Sequence, residues 1–499
     1  MAGCAGASCV KPLDTGEAAF KLAVLLHDPP WKPWGGNLGP YRLEGCSGKL
    51  DVCIAERLAR LSDERLHSNL ESLFGEDALK ELANADAIKK LAEAIRRAAE
   101  RWLREKQGAV AARRSHERQV HLLLNVLTDV LRDMGLGAYA GVAERAADAL
   151  IRDSRVEEAD RLASSMDRAY LAMVYGGEGG DDKVQASRPV YVNPFNPLMR
   201  AEQAPKLSVE KVADYIAVLV STLALLLEKS DKRSASPPVL LYSLAYSLLE
   251  PLWYRVVGVG YVPVADTRVP HHTVFDHIAA SAMASNWLLE GSGPRGCLAI
   301  VDLKSVQAWI SEARRLRDIW AASWLASLLA WKTVEPLVEA LGPDVLIQPP
   351  ARLHPFYAAR LLSRLGCRGT GESRCMALAR LLGLPHGWPI DPTVPTTVRL
   401  ALPARACRVL REAAEEAYWE AWSKITESLA NYIREAMEWS LDVIAACEER
   451  REDCPEALHR RLEQAGPPPG YSRASTLPRD TASAPPSSGP ASWPASYGV

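Results

Sequence analysis

Apolar residues recur at helical spacing through most of the chain, and the exceptions are few enough to place the strands. The run GEAAFKLAVLLHD, from Gly16 to Asp28, has a helical period, and Pro29-Pro30 ends it directly after His27-Asp28. Leu207 to Glu228 and Val239 to Val257 are apolar around the whole helical circumference, which predicts buried helices. Neither is a membrane span, because the first is short and contains Asp214 and the second is interrupted by Glu250, Pro251 and Arg255.

A strand, helix, strand unit follows. Cys297 to Leu303 is an apolar run of strand length behind a Gly/Pro/Ser cluster. Ser305 opens a long helical pattern that ends at Gly342, where Pro343 makes a sharp stop, and Asp344 to Ile347 reads as the next strand. Trp309, Trp320, Trp324 and Trp331 are spaced 11, 4 and 7 apart, which at helical pitch predicts one narrow core-facing stripe. HPFYAARLLSRLGC is helical, Gly366 to Ser373 a loop, Val394 to Leu402 a strand and Ala404 to Arg451 a long helical region. The expected fold class is α+β, predominantly helical. From Ala465 the chain turns to Pro, Ser and Gly, which cannot bury a core and reads as disordered.

With 499 residues and 48% hydrophobic content the chain can bury more than one core. A formal net charge of −2 supplies no bulk attraction to nucleic acid, so such binding must come from local patches. The clearest patch is Lys89 to Arg118, where Arg96, Arg97, Arg101 and Arg104 either neutralise phosphates or form the solvated face of an amphipathic helix. Ten cysteines occur without a CxxC pair, so a zinc module is unsupported. The first residues lack a basic-then-apolar layout, which leads to the expectation of a cytoplasmic protein with reduced thiols.

His27-Asp28 lies at a helix end, where an imidazole beside a carboxylate suits a divalent metal that activates water, but in a chain with 10 His the bare dipeptide arises by chance and gains weight only from its context LLHDPPWKPW. His116 and His121 are five apart and do not share the helical face of a metal pair. In HHTVFDH, Thr273 and Asp276 have capping-box spacing, and a helix start is favoured there over a ligand pair at His272 and His277. GGEGGDD, from Gly176 to Asp182, is followed by polar residues and a proline, so Asp181 and Asp182 read as part of a surface loop.

DTRVPHHTVFDH, VQAWISEARRLRDIWAASW, DVLIQPP and LLHDPPWKPW together resemble the large subunit of type III-B (Cmr) CRISPR effector complexes. Lys304-Ser305 departs from the small or glycine-containing turn usual in that family. The resemblance, which runs from about Ala18 to Ala446, implies an all-α HD-like nuclease domain at 1–185, a connector with apolar helices at 186–290, a ferredoxin-like first palm at 291–403, a helical segment at 404–464 and a disordered tail at 465–499. It implies His27 and Asp28 as catalytic residues and metal ligands, with Asp160, inside EEADRLASSMDR, completing the shell. It further implies Arg314, Arg315 and Arg317 as nucleotide contacts, a divalent metal (Mn, Ni or Mg) and ATP as ligands, and other Cmr subunits, guide RNA, target RNA and single-stranded DNA as partners. The second palm, which in the family carries Gly-Gly-Asp-Asp for joining ATP into cyclic oligoadenylates, is missing from this sequence, so that synthesis is not expected. Two other readings stay open: a catalytically silent scaffold of the same complex, and an independent HD phosphohydrolase.

Overall fold

The computed structural model describes residues 10–35, 41–105, 115–165, 190–193, 196–202, 204, 206–230, 236–265, 272–291, 293–304, 306–367 and 371–450. Its centre is helix α1 (Thr15–Leu26). Asp14 starts this helix with a capping box, its carboxylate accepting from the N–H groups of Gly16 and Glu17 while Glu17 accepts from the N–H of Asp14. Every side chain from Ala18 to Leu26 is buried. A helix buried on all sides needs neighbours on all sides.

After α1 come α2 (Lys32–Gly35), strand β1 (Arg42–Glu44), α3 (Leu50–Ala59), α4 (Asp63–Phe74), α5 (Glu76–Leu82), α6 (Ala85–Glu105), α7 (Ser115–Asp133), α8 (Gly137–Arg152) and α9 (Ser154–Ala163). Strands β2 (Val190–Asn193) and β3 (Asn196–Glu202) pair antiparallel, and β4 (Lys206–Ser208) pairs parallel with β1. The two apolar segments form α10 (Val209–Lys229) and α11 (Pro237–Val256), and α12 (Val274–Ser285) follows. Helices α8, α9, α11 and α12 all pack on α1. Residues on both sides of position 186 therefore share one hydrophobic core. None of the described helices is long and apolar enough to cross a membrane.

The strand, helix, strand unit is present as β5 (Gly296–Asp302), α13 (Val306–Ser311), α14 (Leu316–Leu341) and β6 (Leu346–Gln348). Helices α15 (Pro355–Arg364) and α16 (Ser373–Leu381) lead to β7 (Thr397–Pro403), and α17 (Ala404–Arg450) closes the described chain. Strand order is β5-β7-β6 with both pairings antiparallel, so β5 and β6 run parallel on either side of β7. This is a split β-α-β arrangement. Residues from Tyr418 onward belong to a second unit, the distal part of α17, where Trp419, Leu429, Tyr432, Ile433 and Met437 are exposed.

Several expectations change. The helical pattern from Ser305 is broken between α13 and α14, so the four tryptophans do not make one continuous core stripe: Trp331 is buried but Trp320 is 44% exposed. Periodicity fixes which residues share a face within one helix, not whether the helix is continuous. The basic run is paired internally, Arg96 with Asp63, Arg97 with Asp133 and Arg101 with Asp129, while Arg104 meets Glu100. Three of its arginines thus meet acids of neighbouring helices. Six of the ten cysteines are joined, as Cys46–Cys53, Cys297–Cys407 and Cys367–Cys375, against the expectation of reduced thiols. Gly176 to Asp182, Asp266 to His271 and the tail from Ala465 lie outside the described residues.

Candidate metal centre

His27 caps the C-terminus of α1, and Pro29 follows so closely that the chain must leave the helix with His27 and Asp28 still buried. The imidazole of His27 donates from Nδ1 to the carbonyl of Val24 at 2.6 Å, because a carbonyl can only accept. That bond leaves Nε2 as the nitrogen with the free lone pair. It is buried and has no hydrogen-bond partner, lying 3.7 Å from Asp28 Oδ2 and 3.7 Å from Asp160 Oδ1.

Two further elements converge there. Helix α9 supplies Asp160, whose Oδ1 accepts from Ser164 Oγ at 3.1 Å. Helix α12 supplies His277, with Nε2 at 3.1 Å from Asp160 Oδ1 and 3.5 Å from Asp28 Oδ2. At the N-terminal end of α7, His116 Nε2 lies 3.6 Å from Asp28 Oδ1. The donor atoms of His27, Asp28 and His277 all lie within 4.8 Å of one another. Neutral imidazoles and carboxylates around one point are a donor set for a divalent transition metal, and the orphaned Nε2 of His27 is aimed into it. The residues fit a metal.

The charges of the cluster are mutually supporting. Burial opposes ionisation of Asp28, but Lys32 and the imidazoles of His27, His116 and His277 hold its carboxyl well below the usual range. Asp160 is lowered likewise against its burial, by His27 and His277. Burial opposes the charge on His27 and the two aspartates outweigh it, raising that imidazole. Lys32 forms an ion pair with Asp28 from one helical turn on.

A cleft reaches the cluster, lined by His27, His116 and Asp160 together with Arg152, Asp153, Ser154 and Glu157 from the junction of α8 and α9. The structure therefore brings together His27, Asp28 and Asp160, as the resemblance implied, with His116 and His277, for both of which the sequence favours a structural role over a ligand. His121 packs its ring 5.4 Å from Trp102, in the contact of α6 with α7. Thr273 and Asp276 do form the expected capping box, yet His277, one residue on, joins the cluster. The signal for it lay in the motif HHTVFDH, where a helix start and a ligand overlap. Arg314, Arg315 and Arg317 are exposed at the start of α14.

The family profile described as "CRISPR-associated protein Cmr2, N-terminal" matches residues 298–427, from β5 into α17. The CRISPR system CMR subunit Cmr2 of Saccharolobus solfataricus is 28% identical over 352 residues, covering 65% of this chain and 30% of that protein. The Cmr2 subunit of Pyrococcus furiosus is 33% identical over 93 residues, or 19% of this chain and 10% of that protein. A chain in a cryo-EM structure of the type III-B Cmr-beta complex bound to cognate target RNA is 26% identical, with a TM-score of 0.45, covering 58% of this chain and 30% of that one. The chain thus spans less than a third of the length of the curated relatives it matches. With a Cmr2 N-terminal profile over the sheet unit and an alignment to Cmr2 that covers 65% of the chain, this chain is similar to Cmr2, the large subunit of type III-B CRISPR systems.

Proposed function

We propose that this chain serves as the N-terminal part of the large subunit of an RNA-guided type III-B effector complex and that its buried cluster is a metal-dependent nuclease site for single-stranded DNA. The observation that carries the reading is the buried, unpartnered Nε2 of His27 facing Asp28, Asp160 and His277 beside a cleft. A bound divalent ion supplies Lewis acidity and an activated water. The chain's own residues hold that ion: His27, Asp28, Asp160 and His277 form its seat, with His116 beside Asp28 on the cleft side. The Val24 carbonyl fixes the tautomer of His27. Arg152 at the cleft wall is placed to meet a phosphate of the substrate.

The β5-β7-β6 unit has the order and polarity of the first three strands of a ferredoxin-like palm, which supports a nucleotide-binding role. Arg314, Arg315 and Arg317 are the candidate ATP phosphate contacts. Guide RNA, target RNA and the other Cmr subunits are the expected partners, in keeping with the RNA-bound complex that holds the similar chain. Cyclic oligoadenylate synthesis is not part of the proposal.

One observation favours a second reading. The ammonium of Lys32 already pairs with Asp28, so a catalytically silent scaffold in which this cation takes the metal's place is the competing description. Purified protein titrated with Mn²⁺ or Ni²⁺, then incubated with end-labelled single strands, separates the two. The expected result is metal binding and cleavage, with at least a 100-fold rate loss in His27→Ala/Asp28→Ala, on the order seen when catalytic groups are removed. Equal cleavage by wild type and the double variant sinks the nuclease reading, and absence of metal binding leaves the scaffold.

A further inference from the structure

The turn that follows β6 reaches the metal cluster through one side chain. Arg352 pairs through Nε with Glu250 Oε2 of α11 at 2.8 Å and donates through a terminal nitrogen to Asp276 Oδ1 of α12. The other oxygen of Asp276 accepts from the N–H of Thr273 at 3.0 Å and from its hydroxyl at 2.7 Å. Asp276 therefore has two separate tasks on its two oxygens. One closes the first turn of α12; the other anchors that turn to the sheet side of the molecule. His277 is the next residue, and its Nε2 meets Asp28 and Asp160.

We propose that Arg352 is a positioning residue for the metal centre: by bridging Glu250 and Asp276 it fixes the first turn of α12 and so the ring of His277. The inference rests on the metal-binding reading above. Without the guanidinium, two carboxylates that it holds in common would repel each other, and the anchored end of α12 would shift. A planar fork can serve two carboxylates at once, whereas a lysine presents a single point charge. Partners that orient a metal-binding histidine without touching the metal commonly change metal affinity 10- to 100-fold when lost. Arg352 would act in that manner, from a loop more than seventy residues along the chain from the ligand it sets.

The test is Mn²⁺ affinity of the full chain by calorimetry, read beside thermal unfolding. Arg352→Gln is expected to weaken Mn²⁺ binding by about 10-fold or more, and Arg352→Lys to weaken it as well. Arg352→Gln/Glu250→Gln, which removes the repulsion, should recover part of the loss, and it carries the comparison if Arg352→Gln does not fold. Arg360→Gln is the control: it breaks a pair of ion contacts to Glu335 and Glu339 without touching α12, so it should change stability and leave affinity alone. Arg352 variants that bind Mn²⁺ like the wild type overturn the inference while leaving the metal reading intact, as does an equal loss in Arg360→Gln. A wild type that binds no Mn²⁺ overturns both.

Discussion

His354 shows how one buried side chain ties stability to pH. It precedes α15, stacks on Trp331 with ring centroids 6.3 Å apart, and is pushed by burial from its ordinary 6.5 down to about 4. Between those values the unfolded chain is protonated at this position and the folded chain is not, so stability falls as pH drops from 6.5 toward 4. The full contribution is about 3 kcal/mol, from a shift of roughly two and a half units at 1.36 kcal/mol each. Urea unfolding at pH 7 and pH 4.5 checks it: wild type should lose more stability than His354→Gln, and parallel losses would assign the acid sensitivity elsewhere. At the same scale, the place of His27 and Asp28 at a helix end was legible because the proline pair is local, while their candidacy as a site came from the resemblance carried by LLHDPPWKPW. His277 was not, since its neighbours Thr273 and Asp276 explain the motif locally, and only the packing of α12 against α9 turns its ring toward Asp160, 117 positions away.

At the level of elements, the end of α14 is built for glycine. Gly342 has φ +99°, and a Cβ placed there would come within 2.7 Å of the Tyr242 ring, which is fully buried and cannot retreat. Gly342→Ala is therefore expected to cost about 2 kcal/mol or more, combining backbone strain and overpacking. Chemical denaturation measures it, and Gly75→Ala, where φ is +82° but no atom lies within 4 Å, separates the strain from the clash. The stop at Gly342 was legible because capping is local. The beginning of the same helix was misplaced. Nothing in the spacing of Trp309 and Trp320 reveals that residues 312–315 leave the helix, which depends on where the two parts find surface to pack against.

Over the whole molecule, α1 is fastened to the sheet unit by a buried charge. Lys21 is fully buried and donates to Asn286 Oδ1 at 2.8 Å and to the Leu341 carbonyl at 2.5 Å, with Asp344 Oδ2 at 2.9 Å. Asn286 donates to the same Asp344 oxygen at 2.9 Å. Arg405 adds a second fastening, to Glu17 of α1. Lys21→Met should destabilise the fold by about 3–5 kcal/mol, because it strands a buried carboxylate, and Lys21→Met/Asp344→Asn should lose markedly less. Denaturant midpoints of the two variants decide it: equal losses would mean that packing, not the unpaired charge, dominates.

What the sequence determined by itself was local. The apolar periodicity placed α1, α10, α11 and α17, the short β-branched and apolar runs placed β5, β6 and β7, and the proline pair set the His27-Asp28 doublet at the end of α1. Each depends on residues within a few turns of one another, where spacing is geometry. Tertiary structure alone decided which distant groups meet. It paired Arg96, Arg97 and Arg101 of the basic stretch with Asp63, Asp133 and Asp129. It joined three pairs of cysteines and brought helices from either side of residue 186 into one core. It also brought His116 and His277 to the His27-Asp28 doublet, because such a cluster is defined by distances in space, and the ring of His277 lies 250 positions from that of His27.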